Sequence, residues 1–318
     1  MVKKKNTQIH KYSNKKAELS INLAGIKMNN PVLVASGTFN CGKEYGELYD
    51  LNKLGGIITK AVTAHRRTGN PPPRMAETPA GMLNTIGLQN EGIDYFLRMQ
   101  LPPLLDHDIA VIANVAGSSI EEYVVVTKKL SRQGGVSGIE LNVSCPNVHK
   151  GGLAFGVDPK ALQDVVVAVR KETKLPLFIK LSPNVTDIVA LAKVALDAGA
   201  DGLSLINTLL GMAINIETKK PRLSMKMGGL SGAAIKPVAV RMVYQVYKAF
   251  KCPIIGMGGI MNTEDALEFF LAGASAVALG TVNFIDPMLA TRLPAELRSY
   301  LKRQKANSLT NIIGAVDA

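Results

Sequence analysis

Eight short apolar runs recur along the chain, at 31–36, 56–62, 109–116, 138–143, 176–181, 202–207, 253–258 and 276–280. Val, Ile, Leu and Ala fill them almost continuously, without a polar residue at every second position. Such runs predict strands buried on both faces, the pattern of a parallel sheet covered by helices. Between most of them the apolar positions fall into a helical period, at 120–133, 159–173, 187–198, 236–250 and 263–272. Thr263-Glu264-Asp265 reads as a helix start with acids in its first turn, and 194–202 as a helix end leading straight into a strand. Eight such units favour an α/β fold closed into a (β/α)8 TIM barrel over an open doubly wound sheet. No G-x-G-x-x-G follows the first strand, which disfavours a dinucleotide-binding fold of the open kind. The stretch 18–29 predicts a short hairpin across the bottom of the barrel.

Two connections are longer than compact domains usually carry, 63–108 after the second strand and 208–234 after the sixth. Long connections are commonly functional. Both would open on the C-terminal face, where barrel active sites lie. No linker splits the chain. The expected organisation is a basic, flexible tail over 1–17 and one barrel domain over 18–318, with the N-terminal hairpin and inserted active-site loops.

Composition narrows the function classes. The 318 residues are 47% hydrophobic, enough for a large core, with 5% aromatics and no Trp. Cys41, Cys145 and Cys252 are too few and too scattered for a CxxC zinc site or a four-thiolate iron–sulfur cluster. The four histidines, at 10, 65, 107 and 149, form no metal-ligand set, so no metal is expected. With no secretory signal and no run of 18 apolar residues, a cytoplasmic protein without a membrane span is expected. The net charge of +12 suits nucleic acid at first sight, but six of the surplus charges are the lysines at 3, 4, 5, 11, 15 and 16. A terminal charge run is more often a solvated, mobile end than a binding site. Nucleic-acid binding is therefore not expected.

Polar residues gather at the ends of the predicted strands. Strand one ends in Ser36-Gly37-Thr38, strand two delivers Lys60, strand three carries Asn114 and strand six ends in Asn207-Thr208. Strand four stops in Glu140-Leu141-Asn142-Val143-Ser144-Cys145-Pro146-Asn147, which sets a thiol among amides and a hydroxyl. A free Cys is commonly a small buried hydrophobe; these neighbours favour chemistry instead. Lys180 interrupts an apolar strand, and a buried charge needs a partner. Together with Lys60 it suggests an anionic ligand in the barrel mouth. Strands seven and eight end in Gly256-Met257-Gly258-Gly259 and Gly280-Thr281. Glycines let backbone N–H groups approach a phosphate, and many barrels bind one after these two strands. A phosphate joined to a second, delocalised anion suits reduced FMN.

Longer motifs carry a resemblance. Asn70-Pro71-Pro72-Pro73-Arg74, Glu77-Thr78-Pro79 and Gly81-Met82-Leu83-Asn84-Thr85-Ile86-Gly87-Leu88-Gln89-Asn90 precede the segment 141–147. Gly228-Gly229-Leu230-Ser231-Gly232, Arg241-Met242-Val243-Tyr244 and Gly256-Met257-Gly258-Gly259-Ile260 follow it. Over about residues 18–315 the chain resembles the catalytic subunits of class 1B dihydroorotate dehydrogenases, the NAD-linked bacterial type. The resemblance implies a (β/α)8 barrel with FMN that oxidises (S)-dihydroorotate to orotate in de novo pyrimidine (UMP) biosynthesis. It implies that Cys145 is the base for the C5 proton, while the C6 hydride leaves for flavin N5. It implies substrate contacts from Lys60, Asn84, Ile86, Gly87, Leu88, Asn142, Asn147, Asn207 and Thr208. It also implies flavin contacts from Ser36, Lys60, Ala61, Asn114, Asn142, Lys180, Ile206, Gly232, Gly258, Gly259, Gly280 and Thr281.

The residue chemistry suits these roles. A ring of Asn side chains offers donors and acceptors to both edges of a pyrimidine. A free thiol with a pKa near 8.5 is only a few per cent thiolate at pH 7, and neighbouring lysines raise that share. The chain has neither a nicotinamide fingerprint nor the cysteines for a cluster. The resemblance therefore implies a partner subunit with FAD and a 2Fe-2S cluster that passes electrons to NAD⁺, in a heterotetramer built on a homodimer of the catalytic chain. Glu91 and Met227 depart from the family pattern, which has Pro and Thr there.

Three other readings compete. A tRNA-dihydrouridine synthase is also an FMN barrel with a similar Cys segment, but Ser144 stands where that family has Gly. The substrate loop 84–90 also argues against it, and no added RNA-binding domain is evident. A class 1A dihydroorotate dehydrogenase, self-sufficient with fumarate, fits less well with the stretches 70–74 and 77–79. A non-enzymatic barrel would leave the polar strand ends without a purpose.

Overall fold

The computed structural model of the protein describes residues 18–143 and 155–316. Cys145, Asn147 and the basic segment 1–17 lie outside the described residues. An antiparallel hairpin, β1 (Ile21–Leu23) and β2 (Ile26–Met28), opens the fold. Then come β3 (Val32–Val34) and β4 (Gly56–Ile58), an excursion β5 (Met75–Thr78) and β6 (Gly81–Asn84), and β7 (Ala110–Val115), β8 (Gly138–Asn142), β9 (Leu177–Lys180) and β10 (Gly202–Leu205). A second excursion holds β11 (Leu209–Met212), β12 (Ile214–Asn215), β13 (Lys220–Pro221) and β14 (Met227–Ser231), before β15 (Ile254–Gly256) and β16 (Ala276–Leu279). Strands β3, β4, β7, β8, β9, β10, β15 and β16 are parallel and close into a barrel, β16 pairing with β3. All eight predicted strands are present, each shortened at its ends, and the fold is a (β/α)8 barrel.

The helices are α1 (Lys43–Gly46), α2 (Ile93–Tyr95), α3 (Leu101–Leu105), α4 (Ile120–Gln133), α5 (Pro159–Glu172), α6 (Ile188–Asp197), α7 (Lys236–Phe250), α8 (Thr263–Ala272) and α9 (Leu289–Arg303). Helices α4 to α8 match the five predicted stretches. Their starts follow from capping: Ser119, Asp158, Asp187 and Asn262 each accept a backbone N–H of the first turn. Their faces follow from spacing, as in α4, where Tyr123, Val126, Thr127 and Leu130 are buried. The short α1 and α2, and α3 and α9, fall outside the predicted stretches, and prolines mark the last two. Pro294 lies inside α9, and Pro102-Pro103 opens α3 after a π-helical turn at Phe96–Gln100. Proline inside a run removes an N–H and masks the helical signal.

Alternate residues of the strands sort into two cores. Val34, Ile57, Val111, Ile139, Leu177 and Ile179 face the helix layer. Leu33, Ile58, Ile112, Phe178 and Ile255 form the second cluster, inside the barrel, and Leu23, Ile26 and Met28 of the hairpin join it. The hairpin thus plugs the N-terminal end, as expected. A Cβ on Gly138 would come to 2.8 Å of Ile26 Cδ1, so glycine at the foot of β8 lets the plug seat.

The two long connections do more than loop. β5 and β6 from the first and β14 and β11 from the second form one antiparallel sheet, in the order β11-β14-β6-β5. It carries the segment 84–88 to the barrel mouth.

Candidate active site

The C-terminal strand ends and the added sheet enclose a cavity of about 560 Å³. Ser36, Lys60, Ala61, Asn84, Ile86, Gly87, Leu88, Asn142, Lys180, Ile206, Asn207, Thr208, Gly232, Gly258, Gly259, Gly280 and Thr281 all line it. Asn114 lies behind the wall, fully buried. Asn142 and Val143 on one side of the segment 144–154, and Gly156 and Val157 on the other, also line the cavity. Of the candidate catalytic, substrate-binding and flavin-binding residues, Cys145 and Asn147 lie outside the described residues.

Amides organise one side of the cavity. Asn207 Nδ2 donates to Asn142 Oδ1 at 3.1 Å, and Tyr123 Oη donates to the Asn142 carbonyl at 2.8 Å. Asn84 Nδ2 donates to the Gly229 carbonyl at 3.3 Å, which ties the substrate-loop strand to β14. Asn184 was not foreseen. Its Nδ2 donates to the Thr208 carbonyl at 3.1 Å and its Oδ1 accepts from Leu210 N–H at 2.8 Å, pinning the turn after β10.

Backbone conformation and close packing dictate glycine at three cavity-lining positions. Gly232, Gly258 and Gly259 have φ of 93°, 120° and 84°, in the left-handed region that disfavours side chains. A Cβ on Gly259 would lie 2.8 Å from Lys236 N and 2.9 Å from the Gly232 carbonyl oxygen. At Gly37 a Cβ would meet nothing within 4 Å, so its open side faces free space.

Two cations, Lys60 and Lys180, line the cavity, and no carboxylate does so among the described residues. Burial chiefly, and then the charge of Arg74, holds the Lys60 ammonium below the usual lysine range. Burial pushes the neighbouring Cys41 thiol up to about 12, so Cys41 is no competing nucleophile.

Lys180, whose place in an apolar strand suggested a bound anion, also has an anionic partner within the chain. Lys180 Nζ stands 3.6 Å from Glu140 Oε1, both side chains buried, and donates to Ser36 Oγ at 3.4 Å. Asn114 Nδ2 donates to the same Glu140 oxygen at 2.5 Å. The strand pattern held a signal for Glu140: it lies two residues before Asn142, on the same face of β8. Asn114 Oδ1, Glu140 Oε2 and Ser204 Oγ are buried without a hydrogen-bond partner among the described residues.

The two departures from the family pattern differ in place, Met227 lining the cavity and Glu91 standing outside its lining. Glu91 pairs with Arg66 at 2.9 Å on the surface, and Met227 is exposed at the start of β14.

The family model described as dihydroorotate dehydrogenase matches residues 18–301. The chain belongs to the dihydroorotate dehydrogenase family. It is 53% identical over 301 residues to the "Dihydroorotate dehydrogenase B (NAD(+)), catalytic subunit" of Bacteroides thetaiotaomicron, covering 95% of this chain and 99% of that one. It is 55% identical over 283 residues to the protein of the same name from Anoxybacillus flavithermus, covering 89% and 91%. The crystal structure of Eimeria tenella DHODH in complex with ferulenol shares the fold, with a TM-score of 0.78, 24% identity and coverage of 94% and 88%. Membership makes the chain an enzyme, a flavin-dependent oxidoreductase. FMN fits the lining: at Gly280 a Cβ would meet nothing nearer than Ala35 Cβ at 3.9 Å, which leaves room for a phosphate, and Lys60 and Lys180 offer cationic donors. Among the described residues no group of three or more His, Cys, Asp or Glu is placed to hold a metal, and no helix is long and apolar enough to cross a membrane.

Proposed function

We propose that the chain oxidises (S)-dihydroorotate to orotate in de novo pyrimidine synthesis, in an assembly that delivers the electrons to NAD⁺. The observation that carries this reading is the convergence of Lys60, Asn84, Asn142, Asn207 and Thr208 on one cavity, from three strand ends and the added sheet. Asn142 and Asn207 already hold each other at 3.1 Å, so their free donors and acceptors are set for a planar ring. Lys60 offers the charge for the substrate carboxylate. Cys145 is the base for the C5 proton; its neighbours Asn142 and Val143 stand at the cavity wall. FMN, held by Ser36, Ala61, Asn114, Lys180, Ile206, Gly232, Gly258, Gly259, Gly280 and Thr281, would supply the hydride acceptor.

A partner carrying FAD and a 2Fe-2S cluster completes the route to NAD⁺. The relatives' designation as catalytic subunits supports it. So do exposed apolar groups beside the cavity, where Phe284, a cavity-lining residue, is 50% exposed and Ile285 68%. A second patch, Leu210 and Met212 on β11, Ile214 on β12 and Ile216 just beyond it, suits a homodimer contact.

Rapid mixing of FMN-loaded Cys145→Ala with dihydroorotate tests the base. The variant keeps orotate affinity and reduces its flavin about 10²–10⁴-fold more slowly, the usual contribution of a positioned base. An unchanged rate places the base elsewhere. Turnover with fumarate by the isolated chain, but none with the partner and NAD⁺, would favour the self-sufficient class 1A reading.

A further inference from the structure

We infer that Glu140 is a positioning residue that lowers the reduction potential of the bound flavin by offsetting the charge of Lys180. The inference rests on the proposed flavin chemistry. Lys180 lines the cavity, and Glu140 sits directly behind it with its carboxylate 3.6 Å from the ammonium. Glu140 is fully buried and Lys180 nearly so, which leaves little solvent to screen either charge. Asn114, Lys180 and Ser36 form one chain of contacts through this pair.

The physical consequence concerns charge balance. Two electrons and one proton turn the neutral flavin ring into an anion. A lone buried lysine at the ring would stabilise that anion and make the reduced flavin a poor donor. With Glu140 behind it, the pair adds no net charge, and Lys180 acts as a hydrogen-bond donor whose field is largely cancelled. An enzyme that must pass its electrons onward to NAD⁺ needs the more strongly reducing flavin. Glu140 itself does not line the cavity, so it acts through Lys180.

The test is the midpoint potential of FMN bound to four proteins: wild type, Glu140→Gln, Lys180→Met and the double variant. Glu140→Gln shifts the equilibrium toward reduced flavin at least tenfold, about 30 mV upward for a two-electron couple. Lys180→Met moves it downward by a similar step, and the double variant returns to the wild-type potential. Either single variant removes one half of a buried ion pair and can fail to fold. The double variant removes both charges and is read with whichever single variant folds. A wild-type potential in the double variant together with a shifted potential in a single variant supports the inference; a double-variant potential lowered tenfold or more in equilibrium terms shows that Lys180 acts without Glu140 and overturns it. A wild-type chain that binds no FMN overturns both this inference and the functional reading. A flavin bleached normally by dihydroorotate, with equal potentials in Glu140→Gln and wild type, overturns this inference alone.

Discussion

The barrel interior changes character half-way along its axis. Its lower half is apolar, with Leu33, Ile58, Ile112 and Phe178 closed from below by Leu23, Ile26 and Met28. Its upper half carries Lys60, Asn114, Glu140, Lys180 and Ser204, with three buried polar atoms left unpaired among the described residues. The same eight strands run through both. The lower half contributes stability through packing. The upper half holds charges and orphaned groups whose burial costs free energy unless a ligand completes them. Function is concentrated where the packing rule is broken, and the plugged end keeps that concession affordable.

Changes at the two ends should therefore separate. Phe178→Ala, in the packed half, is expected to cost about 3–5 kcal/mol and Leu23→Ala, in the plug, about 2–5 kcal/mol. Urea titration measures both, and flavin affinity in the surviving folded protein should change little. A loss of flavin without loss of stability would break the division between the halves.

Gly37→Ala probes the opposite end. A Cβ there meets no protein atom within 4 Å, so the ligand-free chain should keep its stability within about 0.5 kcal/mol. FMN affinity should fall tenfold or more, about 1.4 kcal/mol, read by fluorescence titration. Unchanged affinity would mean that the flavin does not lie against Gly37.

The smallest effect is a pH dependence. Lys60 is held below its ordinary 10.5 by burial and by Arg74. Below its lowered pKa, Lys60 is charged in both folded and unfolded chains, and its burial cost is fully present. As pH rises from that value toward 10.5, the unfolded chain binds more protons, so ligand-free stability increases. Orotate affinity runs the other way, because the carboxylate needs the charged lysine. It should weaken with rising pH over the same window, with proton uptake on binding measurable by calorimetry in two buffers. Affinity independent of pH there would remove Lys60 from the carboxylate site.

Much of this was legible before the fold. Continuous apolar runs marked all eight barrel strands, and helical spacing of apolar positions marked α4 to α8, because both signals are local. The sheet over the mouth was not legible, since β14 holds Gly228-Gly229 and its partner β6 lies about 145 residues away in the chain. Helices α3 and α9 were hidden by their prolines. Lys180 was recognised as needing a partner; the strand alternation puts Glu140 on the face of Asn142, but its nearness to Lys180 emerges from barrel register, with Asn142 opposite Lys180 and Glu140 one pleat below. The thiol at Cys145 was the most informative residue in the sequence, and its placement falls outside the described residues.

Anaerobic mixing of the FMN-loaded chain with (S)-dihydroorotate tests the central claim most directly. The account predicts that the yellow flavin bleaches, with one orotate formed per flavin and no partner needed for that half-reaction. A flavin that stays oxidised with excess dihydroorotate would contradict it.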